Sequence, residues 1–94
     1  MIDMVKVVAV QYLDPFRLRV RFSNGASGIR DFADIVTEGG VMLEPLRDAA
    51  YFKRVFLEYG VLTWPNGYDV DAIALHDEMA AIGALKSASA DAAE

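Results

Sequence analysis

Residues 16 to 22 read Phe-Arg-Leu-Arg-Val-Arg-Phe, apolar and basic in strict alternation. Successive side chains of a strand point to opposite faces, so this run places Phe16, Leu18, Val20 and Phe22 on one side and Arg17, Arg19 and Arg21 on the other. A helix would spread both sets around its circumference, whereas a strand with one buried face separates them. Ser23-Asn24-Gly25-Ala26 follows, and Asn-Gly between two strand-like runs predicts a two-residue type I′ hairpin with Ala26 to Asp31 returning antiparallel. That turn sets Val20 opposite Ile29 on the core face and Arg19 opposite Arg30 on the outer one. Arg17, Arg19, Arg21 and Arg30 then share one exposed basic face, in a chain with only nine Lys and Arg.

A second organising stretch is Leu57 to Asp71, which contains the only tryptophan. Val61, Leu62 and Thr63 are strand formers that lead into Trp64, and Glu58-Tyr59-Gly60 before them is a turn signal. Val55 to Trp64 is therefore expected to form a hairpin with a three-residue loop. Pro65 fixes its own φ and restricts Trp64 to an extended conformation, while Asn66-Gly67 tolerates positive φ, so the chain must turn there. Trp64, Pro65, Asn66 and Gly67 are assigned structural roles, with Trp64 in the core.

The remaining segments fit around these two. Met4 to Leu13 is a first strand closed by Asp14-Pro15. Phe32, Ile35 and Val36 stand at helical spacing before a stop at Gly39-Gly40. Leu43 to Leu46 is read as loop. Asp48 can cap a second helix from Ala49 to about Arg54, anchored by Phe52, and Asp69 or Asp71 can cap a third. In that third helix Ala72, Leu75, Met79 and Ile82 mark the apolar face, Asp77 and Glu78 the wet one, and Gly83 weakens its end. The expected fold class is α+β: a small antiparallel sheet of about five strands, made of two hairpins and the N-terminal strand, covered by two or three short helices. Residues 1–86 are expected to form a single domain and residues 87–94, small and polar, a disordered or frayed tail.

Composition narrows the function classes. Ninety-four residues with 54% hydrophobic content suffice for one core. There is no cysteine, which excludes disulfides and thiolate zinc sites and makes a cytoplasmic location the default. The N-terminus has no basic region ahead of its apolar run, and no run approaches the roughly 20 apolar residues of a membrane span. Net charge is −5, divided into +2 over residues 1–31 and −7 over the rest. Phosphate backbones repel such a chain unless its cations are concentrated on one face, so nucleic acid is disfavoured as a partner.

Taken together, Leu18-x-Val20-x-Phe22-x-Asn24-Gly25, Asp31-Phe32, Pro45-Leu46-x-Asp48 with Phe52, and Trp64-Pro65-Asn66-Gly67 with Asp69 and Leu75 resemble the family called domain of unknown function 2442. The resemblance spans roughly residues 4 to 76. It implies a compact α+β domain of bacterial origin, occasional fusion to a helix-turn-helix, and gene neighbourhood with a second small protein in toxin and antitoxin-like pairs. No activity or catalytic residue comes with it. Two departures stand out: His76 replaces the aromatic residue that commonly follows the leucine, and no helix-turn-helix follows.

No catalytic, cofactor or metal constellation emerges from the residues. His76 is the only histidine and sits beside Asp77 and Glu78, but helical neighbours point about 100° apart, so the three do not converge on a metal. Ser23, Ser27, Ser87 and Ser89 lie in no nucleophile-elbow pattern. Asp69 and Asp71 flank a turn where helix capping accounts for at least one of them. Gly25 to Gly28 and Gly39-Gly40 lack the lysine and context of a phosphate loop and are read as turns.

The arginine face has two readings. It is a solvated, edge-protecting surface paired with Asp3, Asp14 or Glu58, or a docking face for an acidic partner. The resulting expectation is a non-catalytic protein-binding or regulatory module, antitoxin-like, whose partner is the product of a neighbouring gene. The alternatives are a nucleic-acid or anion binder using the Arg17, Arg19, Arg21 and Arg30 face, and a small enzyme around His76. Homodimerisation through the first strand or the Val55 to Trp64 hairpin is a further expectation, because such sheets leave open edges.

Overall fold

The computed structural model describes residues 5–86; the expected tail at 87–94 and any pairing by Asp3 lie outside them. Strands β1 (Val7–Leu13), β2 (Arg17–Phe22) and β3 (Ser27–Asp31) form an antiparallel meander. Helix α1 (Ala33–Glu38) follows, then a 3₁₀ turn at Pro45–Arg47 within the stretch expected to be loop, and helix α2 (Ala49–Phe52). Strands β4 (Phe56–Glu58), β5 (Val61–Thr63) and β6 (Asp69–Val70) make a second antiparallel sheet. Helix α3 (Ala72–Ala81) leads to β7 (Leu85–Lys86), which pairs with β3 and completes a four-stranded sheet in the order β1-β2-β3-β7. The α+β class and the short helices are as expected. Among the described residues the strands number seven in two sheets rather than about five in one.

Both hairpin turns differ from expectation, and they differ in opposite directions. Ser23-Asn24-Gly25 is a three-residue loop: Phe22 N–H donates to Ala26 O at 2.8 Å, Gly25 N–H to Phe22 O at 2.9 Å, and Gly25 holds φ 92°. The two-residue turn with positive φ at both positions occurs instead at Tyr59 (φ 53°) and Gly60 (φ 79°), where Glu58 pairs with Val61. The three-residue loop is then repeated at Pro65-Asn66-Gly67. Trp64 N–H donates to Tyr68 O at 2.9 Å, Gly67 N–H to Trp64 O at 2.8 Å, and Gly67 also has φ 92°. In both loops the asparagine Oδ1 accepts the backbone N–H two residues on, from Ala26 at 3.0 Å and from Tyr68 at 3.1 Å.

The core joins the two sheets through aromatic rings. Phe52, presented by α2, lies 5.5 Å from Trp64, 5.8 Å from Phe32, 5.5 Å from Phe16 and 6.1 Å from Tyr12, centroid to centroid. Trp64 is buried, and its indole N–H donates to Phe52 O at 2.8 Å, so the largest apolar ring enters the core with its polar atom satisfied. Asn66 Nδ2 donates to Met42 O at 2.9 Å and ties the turn to the preceding loop. Asp48 and Asp71 cap α2 and α3 by accepting from Ala50 N–H at 3.0 Å and Ala74 N–H at 2.9 Å.

The apolar side of α3 is Ala72, Leu75 and Met79, all buried. Ile82, expected on that face, is 63% exposed, because the helix ends at Ala81 and the backbone departs there. Ala84 N–H donates to Met79 O and Gly83 N–H to Ala80 O with Gly83 at φ 74°, the paired bonds of a Schellman stop. The reversed chain runs straight into β7. Its approach to β3 needs Gly28, since a Cβ there would sit 2.0 Å from Ala84 O. Gly28 is thus a strand residue under close backbone approach rather than part of a turn.

Candidate functional site

The outer face of the four-stranded sheet is built by the alternation in β2. Leu18, Val20 and Phe22 are buried, while Arg17, Arg19 and Arg21 are exposed on the opposite side. In the ladders Arg17 stands between Leu13 and Asp31, Arg19 between Gln11 and Ile29, and Arg21 between Ala9 and Ser27. Arg19 Nη1 donates to Gln11 Oε1 at 3.1 Å, and Arg17 Nε donates to Asp14 O, a backbone carbonyl, at 2.9 Å. Among the described residues the ion pairs of lysine and arginine involve only Arg30, with Glu78 and Asp34, so these three arginines hold no carboxylate. Two shallow grooves cross the face. One, of about 220 Å³, is lined by Gln11, Arg19 and Arg21; the other, of about 400 Å³, by Arg19, Ile29 and Lys86.

Arg30 is not on this face, which corrects the sequence reading. With a three-residue loop, β3 slips by one position: Arg19 meets Ile29 and Leu18 meets Arg30. A one-residue slip carries every side chain of a strand to the other side. Arg30 is accordingly 6% exposed and points inward. Its Nε and Nη2 donate to Glu78 Oε1 and Oε2 at 2.9 and 3.1 Å, its Nη1 to Asp34 Oδ1 at 3.2 Å and to the carbonyl oxygen of Asp31, and its guanidinium lies 5.1 Å over the Phe32 ring. The hydrogen bond to Glu78 raises the Arg30 pKa further, against the opposing effect of burial. For Asp34 the desolvation beside the sheet pushes upward. The hydrogen bond and charge of Arg30, with the Ile35 N–H, outweigh it and hold the carboxyl below its usual range. This cluster locks α3 and α1 to β3.

The fourth cation of the outer face is Lys86, paired with Ser27 through β7. It was missed because a two-residue strand carries no periodicity. The available signal was Gly83, a helix stop placed three residues before it.

His76 serves the fold. Its Nε2 lies 3.1 Å from Asn24 Nδ2, and its ring stands edge-on to Phe22 at 5.0 Å. Because Asn24 Oδ1 is taken by Ala26 N–H, Nδ2 is left to donate, and the histidine accepts it. The pair pins the first hairpin loop to α3. Asp71 is the α3 cap, whereas Asp69 lies in β6 facing Thr63 on the outer side of the second sheet, so the two acids do not converge. Among the described residues no group of three or more His, Asp or Glu could hold a metal ion, and no helix is long and apolar enough to cross a membrane.

The family model described as Protein of unknown function (DUF2442) matches residues 7–80, from the first residue of β1 to the last turn of α3. Comparison with curated proteins and with solved structures returned no match.

Proposed function

We propose that this chain, which belongs to the DUF2442 family, is a non-catalytic protein-binding or regulatory module of the bacterial cytoplasm, antitoxin-like, that docks an acidic protein partner on its Arg17, Arg19 and Arg21 face. The observation that carries this reading is the arginine row itself: three guanidinium groups on one uncovered sheet face of a protein with net charge −5, none paired with a carboxylate among the described residues. Leaving such a row in water confers little stability, but an acidic surface brought against it gains charge-assisted, bidentate hydrogen bonds and faster encounter. Ile29 beside Arg19 adds an apolar centre. The partner favoured by the family resemblance is the small protein encoded next to this one.

The test is direct binding of the neighbouring gene's purified product to the wild type and to the R19E/R21E double variant, at low and high salt. The reading expects the double variant to keep its fold and lose affinity mainly through a slower association that added salt no longer weakens as it does the wild type's. Unchanged on-rate, affinity and salt dependence would reduce the face to solvated surface. Binding of duplex or single-stranded oligonucleotide by the wild type, abolished by salt, would favour the nucleic-acid reading instead.

A further inference from the structure

On the outer side of the second sheet exposed residues of charge opposite to the arginine row surround Thr63, which is itself buried. On the outer side of β4-β5-β6, Phe56 and Asp69 flank Thr63, and Glu58 faces Val61. Glu58 and Asp69 are exposed and neither makes an ion pair among the described residues. Phe56 is 42% exposed and Tyr59, at the hairpin tip, 89%. A shallow groove of about 410 Å³ runs between Glu58, Tyr59, Val61, Thr63 and Asp69. The Lys6 stem packs against Gly60, next to Tyr59.

Tyr59 adds a second observation. It is the one non-glycine residue among those described with positive φ, at 53°. A bulky side chain in that region is strained, and this one contributes no buried contact in return. An aromatic ring fully offered to solvent from a strained turn is the kind of residue that anchors an interface.

We infer that a second copy of this chain docks its arginine face onto this acidic, aromatic face, giving head-to-tail self-association. The two faces match in spacing. Alternate residues of a strand lie about 7 Å apart and neighbouring strands about 5 Å, so Arg17 and Arg21 are about 14 Å apart and Glu58 and Asp69 about 12 Å. They match in composition, since Ile29 lies within the basic row and Phe56 and Val61 lie among the acids. Asp31, opposite Arg17, is the one carboxylate paired in register with that row, and it weakens the Arg17 end more than the Arg19 and Arg21 end. Tyr59 presents its ring to an incoming guanidinium. Because the two inner faces share one core, the outer faces point away from it, and the contact is heterologous, giving closed rings or open chains according to the rotation between copies. The interaction shares the arginine face with the partner-binding reading above but does not depend on it. Where both hold, a bound partner and a second copy exclude each other.

The experiment is sedimentation velocity at high micromolar concentration in about 0.1 M and about 0.5 M salt, spanning strong and weak survival of exposed ion pairs. The wild type is expected to show species larger than monomer that dissociate in high salt. R19E/R21E and E58K/D69K are each expected to remain monomeric alone. Mixed one to one, the basic face of the E58K/D69K copy meets the acidic face of the R19E/R21E copy, and salt-sensitive association returns. The neutral variant E58Q/D69N, checked for native circular dichroism, repeats the loss without reversing charge. A monomeric wild type at low salt overturns the inference, as does self-association that survives in either charge-reversed variant or is indifferent to salt. Binding of the neighbouring gene's product to E58K/D69K separates the two ideas: it persists when only self-association is lost.

Discussion

Arg30 of β3 holds both carboxylate oxygens of Glu78 in α3, 48 residues further along the chain. A partly buried guanidinium stripped of its partner keeps its desolvation cost without its attraction. Replacing Glu78 by alanine is expected to cost about 2 kcal/mol, below the loss for a fully buried pair because Glu78 is half-exposed and Asp34 remains. Replacing Arg19 and Arg21 by alanine should together cost under about 1 kcal/mol. Urea unfolding midpoints of the two variants check the contrast.

The same cluster sets a pH response. The Asp34 carboxyl is held below its ordinary value of 3.8 in the folded protein, so the unfolded chain binds its proton first as pH falls. Its contribution is present above that ordinary value and is lost as pH drops through the lower folded one. An Asp34→Asn variant is expected to show a flatter decline in stability between about pH 5 and pH 2, read from urea midpoints across the range.

Trp64 is tied into the core by packing and by one hydrogen bond. Trp64→Phe keeps most of the apolar contact with Phe52 and Phe32 but removes the indole donor, leaving Phe52 O with only the Val55 N–H at 3.2 Å, at a cost of about 1 kcal/mol. Trp64→Ala also opens a cavity between the two sheets and should cost about 4 kcal/mol, enough to unfold a marginal domain. Thermal melts followed by near-ultraviolet circular dichroism distinguish the graded loss from collapse of the fold.

Gly28 and Gly67 fail differently when given a side chain. Gly67→Ala meets open space but strains a positive φ, and should cost about 1 kcal/mol without changing the structure. Gly28→Ala drives a methyl group into Ala84 O. It is expected to detach β7, seen as loss of hydrogen-exchange protection at Leu85 and Lys86, with about 1–3 kcal/mol of destabilisation.

Local chemistry was sufficient for some of this molecule. The alternation from Phe16 to Phe22 alone determined that Arg17, Arg19 and Arg21 face outward, because the pleat permits no other arrangement once Leu18 and Val20 are buried. Asp48 was readable as a cap, the cap of the third helix as Asp69 or Asp71, and Trp64-Pro65-Asn66-Gly67 as a buried ring followed by a forced turn, from backbone restrictions that act within a few residues. Other features depended on groups distant in sequence. Asn-Gly serves two-residue and three-residue loops alike, and the choice at Asn24-Gly25 decided whether Arg30 or Ile29 faced the core. The native register places Arg30 where Glu78 and Asp34 can neutralise it and where His76 can hold Asn24, contacts made only once α3 lies across the sheet. At Glu58-Tyr59-Gly60 a three-residue loop was the local expectation, and the observed two-residue turn requires a positive φ that tyrosine disfavours. Val7 N–H, which donates to Gly60 O at 2.8 Å, and the Lys6 stem across Gly60 come from the first strand and hold the tighter turn. Lys86 reaches the basic face only because Gly83 reverses the chain and Gly28 lets it approach. Sequence decided which side chains alternate and where the backbone must turn; tertiary contacts decided how long each turn is, and with it which charges share a surface.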